Sequence, residues 1–275
     1  MSERFAENRI RDSISARMTG MNRLRLEMLP QPNDSTCGPT CLHAVYRYYG
    51  MVMGLDEVVR EVGQLEQGGT LAVFLGSHAL RHGFDVKLYT YDLQVFDPTW
   101  FRNDRDINLE ERLTAQMNAK PSPRLHTATI AYIEFLRRGG KLRMEVLTIE
   151  LIRRYLKRNI PVLTGLSATF LYGEMREYCP ENPPPGRSVL ADDVRGFPAG
   201  HFVVLCGYDP DRRTVLIADP LEANPFAKDR LYAVDIDRVF SAIMLGIVTY
   251  DANLLIIRPR HQKGVVGHAR TDSDR

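Results

Sequence analysis

Gln31-Pro-Asn-Asp-Ser-Thr36-Cys37-Gly-Pro-Thr40 continues directly into Cys41-Leu-His-Ala-Val-Tyr46-Arg-Tyr-Tyr49-Gly50. The first part is polar and turn-rich. The second carries apolar residues at Leu42, Val45, Tyr46 and Tyr49, spaced three and four apart, which predicts a helix with one buried face. Gly50 stands where such a helix stops, and Pro39 suits a first helical turn, where a missing N–H has no helical partner anyway. Cys37 therefore falls where a loop becomes a helix. Unpaired N–H groups and the helix dipole favour an anion there, so they favour thiolate over thiol. Gln31, six residues earlier, can place a side-chain N–H₂ beside the sulfur. With the backbone N–H of Cys37 it would make a two-donor oxyanion hole.

A thiolate nucleophile needs a base. Gly200-His201-Phe-Val-Val-Leu-Cys206-Gly-Tyr opens an apolar strand with a histidine, preceded by a residue too small to crowd it. Ile217-Ala218-Asp219-Pro220 ends the next strand with a carboxylate. If the two strands pair through the turn at Asp209 to Arg213, the start of one lies beside the finish of the other. Asp219 can then fix the imidazole while His201 polarises Cys37. Asp209, Asp192 and Asp193 are rival carboxylates, Asp209 the strongest of them.

The Gln–Cys–His–Asp order, with the thiol on an early helix and the base on a later strand, resembles the papain-like cysteine peptidases. QPNDSTCGPTCLHAVYRYYG, GHFVVLCGYD and ADP are most similar to the bacterial double-glycine-leader (bacteriocin-processing) peptidases in stand-alone form. The resemblance implies an α+β papain-like fold, a catalytic helix followed by a mainly antiparallel sheet, and thiol-dependent cleavage of a peptide bond. It puts the nucleophile at Cys37, the base at His201, the orienting carboxylate at Asp219 and the oxyanion glutamine at Gln31. It implies a peptide or protein substrate and neither cofactor nor metal. His201 follows Cys37 by 164 residues, beyond the papain-type interval of about 130–150, and an extra helical segment around 92–145 would account for the difference.

The rest of the chain fits one domain over residues 23–260 between polar tails at 1–22 and 261–275. The segment 92–145 reads as a helical insertion, with helices near Leu109–Ala119 and Leu125–Arg138. Other expected helices are Leu55–Leu65, Leu71–His82 with Thr70 as N-cap, one capped by Thr148, and Ile236–Met244. Strands are expected at Phe84–Tyr91, Pro161–Ala168, His201–Tyr208, Thr214–Ala218, Leu231–Val234 and Leu254–Ile257. Tyr178–Gly200, with NPPPG at its centre, reads as a long irregular loop. This loop and the 92–145 segment are the expected walls of the substrate pocket.

Composition narrows the alternatives. The 275 residues carry 36 Lys and Arg against 34 Asp and Glu, too even a balance for a nucleic-acid-binding surface. The basic run from Arg137 to Arg158 reads as a solvated face. No apolar run reaches the ~18 residues of a membrane span, and four cysteines without a signal peptide fit the cytoplasm. Cys41, Cys179 and Cys206 receive no chemical role, and His43 is structural. His78 and His82, four apart on one helix, have a metal-compatible spacing but no third ligand of the HExxH kind, so packing is the preferred reading. The same triad would also serve an acyltransferase, a transglutaminase-like enzyme or a deamidase. A non-catalytic peptide-binding domain of the same fold is the remaining alternative.

Overall fold

A computed structural model describes residues 22–65, 69–102, 107–181, 189–250 and 252–260. Residues 1–21 and 261–275, read above as tails, lie outside these, as does the Pro-rich centre of the 178–200 loop. The described elements are β1 (Asn22–Arg23), α1 (Cys37–Tyr48), α2 (Leu55–Glu61), α3 (Ala72–Arg81), β2 (Phe84–Thr90), α4 (Leu109–Ala119) and α5 (Pro123–Arg137). Next come β3 (Lys141–Arg143), α6 (Ile149–Leu156), β4 (Val162–Ser167), α7 (Ala168–Tyr172), β5 (Glu177–Tyr178) and β6 (Leu190–Ala191). The chain continues with β7 (Gly200–Asp209), β8 (Thr214–Ala218), β9 (Leu231–Asp235), α8 (Ile236–Leu245) and β10 (Asn253–Pro259).

The fold is α+β. One sheet runs in the order β3-β2-β10-β4-β7-β8-β9, with β1 also pairing with β7. Every pairing in it is antiparallel except β2 with β3. β7 lies inside the sheet, which explains its unbroken apolar run: Phe202 to Cys206 is buried residue by residue because both of its faces are covered. α1 packs on β7, α3 on β2 and α8 on β4.

Local chemistry sets most element ends. Thr148 and Ser122 cap α6 and α5 by accepting the Leu151 and Leu125 N–H groups. Gly50 and Gly83, at φ +78° and +81°, turn the chain after α1 and α3. Thr70 does not cap α3 as expected. The capping position is Leu71, without a side-chain bond, and Thr70 Oγ1 instead donates to Gly63 O at 2.8 Å. That bond fastens the loop before α3 to the end of α2.

The 92–145 segment is more than a helical appendage. Its short strand β3 extends the sheet in parallel beside β2, and α5 packs against α3. Phe135 is fully buried between Gly76 and Gly140, where a methyl group on either glycine would collide with its ring. β3 resists reading as a strand from sequence because only Leu142 of Lys141–Arg143 turns inward. In the 178–200 loop, β5 and β6 pair as a two-stranded ribbon, which its irregular sequence did not announce.

Gly38 sets how closely α1 approaches β7. A Cβ there would lie 2.5 Å from Thr70 Cγ2 and 3.2 Å from both Leu75 Cδ1 and Phe202 Cδ2. Thr70 cannot rotate away without losing its bond to Gly63. Gly38→Ala should therefore lower stability by about 1–3 kcal/mol in urea unfolding, whereas Gly54→Ala, with open space around the new methyl, should be nearly neutral. Equal midpoints for the two variants would show that the helix does not depend on this close approach.

Candidate active site

Three elements bring the candidate residues together. Cys37 is the first residue of α1, His201 the second residue of β7, and Asp219 follows β8 directly. The expected hairpin is present: β7 and β8 pair antiparallel, Val204 opposite Ala218 and Asp209 opposite Thr214. The register places Asp219 beside the start of β7, and His201 Nε2 donates to Asp219 Oδ1 at 2.9 Å. The Cys37 side chain is close enough to act on the charge of this ring. Since Nε2 is engaged with Asp219, Nδ1 is the nitrogen left to serve another partner.

Asp219 has no exposed surface, so every lone pair needs a partner. Oδ1 accepts from His201 and from the Leu221 N–H at 2.9 Å. Oδ2 accepts from Tyr172 Oη at 2.6 Å and from Tyr232 Oη. Burial pushes the carboxyl pKa up, but the bond and charge of His201 and the two tyrosine hydroxyls outweigh it and hold Asp219 below the ordinary carboxylate value. Both tyrosines are pushed up, by burial first and by the Asp219 charge second, and stay neutral donors. For His201, burial lowers the pKa, yet the Cys37 charge and the bonds to Asp219 and Cys37 raise it to about 10.

Gln31 reaches the same place from the loop before α1. Its backbone N–H donates to Pro220 O at 2.9 Å, which ties this loop to the chain just after Asp219. Its Nε2 donates to Asn33 O at 3.1 Å, and its Oε1 is buried without a hydrogen-bond partner among the described residues. Gln31 and His201 line one cleft of about 720 Å³, whose walls include Asp34, Tyr172, Glu174, Glu177, Leu190 and Leu221. The 178–200 segment contributes to those walls, as expected. Among the described residues the 92–145 segment contributes none of the lining, against expectation, because it is spent on the opposite end of the sheet.

The rival groups find other work. Asp209 accepts the Asp211 and Arg212 N–H groups and shapes the β7–β8 turn, and Asp192 does the same for Val194 and Arg195. Cys41 is fully buried and donates to Phe202 O, its pKa raised by burial and then by the Cys37 and Asp219 charges. Cys206 is pushed up to about 12 by burial. Cys179 is exposed and His43 is buried on α1. Tyr172 and Tyr232 were not singled out by sequence. Their only signal is their type: a buried tyrosine needs a partner for its hydroxyl.

The folded pKa of His201 lies above its unfolded value of ~6.5. Its contribution to stability is thus complete below that value and lost as pH rises through about 10. Asp219 is held below its unfolded value of ~3.9, so its contribution is present above that pH and lost as pH falls through the folded value. Asp219→Asn should therefore cost about 1.5–3 kcal/mol between roughly pH 4 and 6.5, a gap that narrows toward pH 10 in urea midpoints. A pH-independent gap would contradict this electrostatic account.

Residues 132–241 match the model of the Peptidase_C39 like family. No curated protein sequence matches the chain. Among solved structures, a double glycine motif protease from an AMS/PCAT transporter, in complex with the leader peptide, is 14% identical, with TM-score 0.41 over 86% of this chain and 94% of the other. The peptidase domain of Streptococcus ComA, a bi-functional ABC transporter, is 14% identical with TM-score 0.41, over 86% and 100%. Xylellain, a cysteine protease from Xylella fastidiosa, is 14% identical with TM-score 0.39, over 87% and 86%. Among the described residues no helix is long and apolar enough to cross a membrane. The likeness to the Peptidase_C39 like family thus spans the strands that carry His201 and Asp219, while Gln31 and Cys37 lie upstream of the matched residues.

Proposed function

We propose that this protein is a cysteine peptidase that cleaves a peptide bond through Cys37, His201 and Asp219. The observation that carries the reading is the bond of His201 to the buried Asp219, on a ring that the Cys37 side chain is near enough to influence. His201 takes the Cys37 proton as the sulfur attacks. Cys37 Sγ attacks the substrate carbonyl, and the developing oxyanion is held by the Cys37 N–H and Gln31. The Gln31 amide has two donors: one is given to Asn33 O at 3.1 Å, and the other is left for the oxyanion. His201 protonates the leaving amine, water enters, and His201 as base directs it onto the thioester. No cofactor or metal enters these steps.

Access and activation make opposite demands on labelling. Cys37 is 8% exposed whereas Cys179 is open to solvent, so exposure alone would make Cys179 the first to react. Iodoacetamide at mildly acidic pH should instead modify Cys37 first, and Cys37→Ala should abolish both this labelling and cleavage of a peptide library read by mass spectrometry. Faster alkylation at Cys179 would overturn the proposal. Products with a new amide, or deamidated side chains in place of cleaved bonds, would move the same triad to acyl transfer or deamidation.

The cleft itself favours cationic substrates. Glu177, exposed at its surface, is raised above its ordinary value by partial desolvation first and by the neighbouring Asp34 and Glu174 second, while His201 lowers it. Three carboxylates beside the candidate base repel acidic side chains. Peptides with Lys or Arg near the scissile bond should be cleaved faster than Asp or Glu counterparts. Glu177→Gln should reduce that preference by about two- to fivefold, and added salt should do the same. A preference indifferent to both would place selectivity elsewhere.

A further inference from the structure

Outside the cleft, two helix ends converge on one cluster of three side chains. Glu61 ends α2, His78 lies in the last turn of α3, and His82 is the residue that caps α3. His78 and His82 both bring Nε2 to 3.3 Å from Glu61 Oε2, and all three ligand atoms lie within 4.8 Å of one another. The two imidazoles stack with ring centres 4.4 Å apart, as the four-residue helical spacing requires.

His78 gives the cluster its direction. Its side chain has no exposed surface, and Nδ1 is 2.8 Å from Tyr46 Oη on α1. With the proton on Nδ1 shared with that oxygen, Nε2 presents a lone pair toward Glu61. Although Glu61 Oε2 is near, Nε2 makes no hydrogen bond among the described residues, because the approach is off line. A buried nitrogen lone pair facing a carboxylate oxygen is an arrangement that a cation completes. Metal-bound histidines commonly hold their other nitrogen in this way.

We propose that Glu61, His78 and His82 bind a divalent transition metal of the zinc type. Zinc bonds of ~2.05 Å at the tetrahedral angle place neighbouring ligand atoms about 3.3 Å apart, which is the separation of both His–Glu edges. Two imidazoles and one carboxylate are a borderline-soft donor set that suits zinc over calcium or magnesium. The side chains of His82 and Glu61 are 26% and 39% exposed, so the metal enters from solvent and a water completes the fourth position. The C-terminal end of α3 adds negative potential. Arg81, whose Nη2 lies 3.4 Å from Glu61 O, opposes it. The missing third ligand in the sequence reading is thus Glu61, 17 residues before His78 on a different helix.

The test uses untagged protein stripped with chelator and carrying Cys37→Ala and Cys179→Ser, which removes both competing thiols and any dependence on the peptidase proposal. Calorimetric titration with Zn²⁺ should show one equivalent bound. Glu61→Gln and His82→Ala should each weaken binding by about tenfold or more, with unchanged urea midpoints without metal confirming that both variants fold. Zn²⁺ should raise the midpoint of the parent and of neither variant. Absence of uptake, or uptake that survives either substitution, would overturn the site and leave a His82–Glu61 ion pair in its place.

Discussion

A carboxylate at the end of a buried strand is tolerable only if the surrounding chain supplies donors on every side, and the geometry of this protein is organised around that demand at Asp219. Four elements meet it. β7 brings the His201 ring, α7 ends with Tyr172, β9 carries Tyr232, and the turn after Asp219 returns the Leu221 N–H. Because the group is buried, removing one donor leaves a lone pair unsatisfied rather than handed to water. The cost of that keeps His201 in one orientation, with its other nitrogen turned away from the Asp219 carboxylate. Charge and packing support each other here. Close packing at Gly38 sets the height of α1 over β7, and the Asp219 bonds set the direction of the ring that α1 must meet.

Most of this could be read from the chain because it follows from local periodicity. A helical face ending at Gly50 and two apolar runs joined by a tight turn determine one helix and one hairpin, and the hairpin fixes which ends are neighbours. Tyr172 and Tyr232 were not readable as partners of Asp219. They stand 47 and 13 residues from it, on elements whose own patterns say nothing about where their hydroxyls point. Glu61 escaped for the same reason, since an i, i+4 histidine pair announces itself within a helix and a ligand from another helix does not. The N-cap of α3 was misassigned because Thr70 had a stronger offer from Gly63 O than from the helix it precedes.

The 92–145 segment shows how composition can be read correctly and its place misjudged. Its two helices are where their periodicity puts them, and it was reasonable to expect an added segment to build the substrate pocket. The sheet order sends it elsewhere. β3 adds to the edge beyond β2, at the far end from β7 and β8, so α5 covers α3 and Phe135 fills the space left by two glycines. The described cleft walls come from the Gln31–Asp34 loop, from α7 and the stretch between it and β7, and from the turn after Asp219. On the proposed function, substrate choice would rest with these walls, whereas the earlier segment thickens the scaffold that holds α3.

α1 connects the two chemical centres while keeping their roles apart. Cys37 opens the helix and Tyr46 lies nine residues along it, about 13–14 Å at the usual rise. A metal held by Glu61, His78 and His82 therefore cannot touch a carbonyl positioned at Cys37. It can act only through the helix. Tyr46 is wholly buried, is stacked on Phe84 and on His78, and bonds His78 Nδ1. Fixing His78 from its other side would stiffen that anchorage and with it the helix that presents the sulfur. The consequence is a division of labour along one rigid element: its N-terminal end carries the proposed nucleophile, and its C-terminal half is clamped between α3 and the sheet.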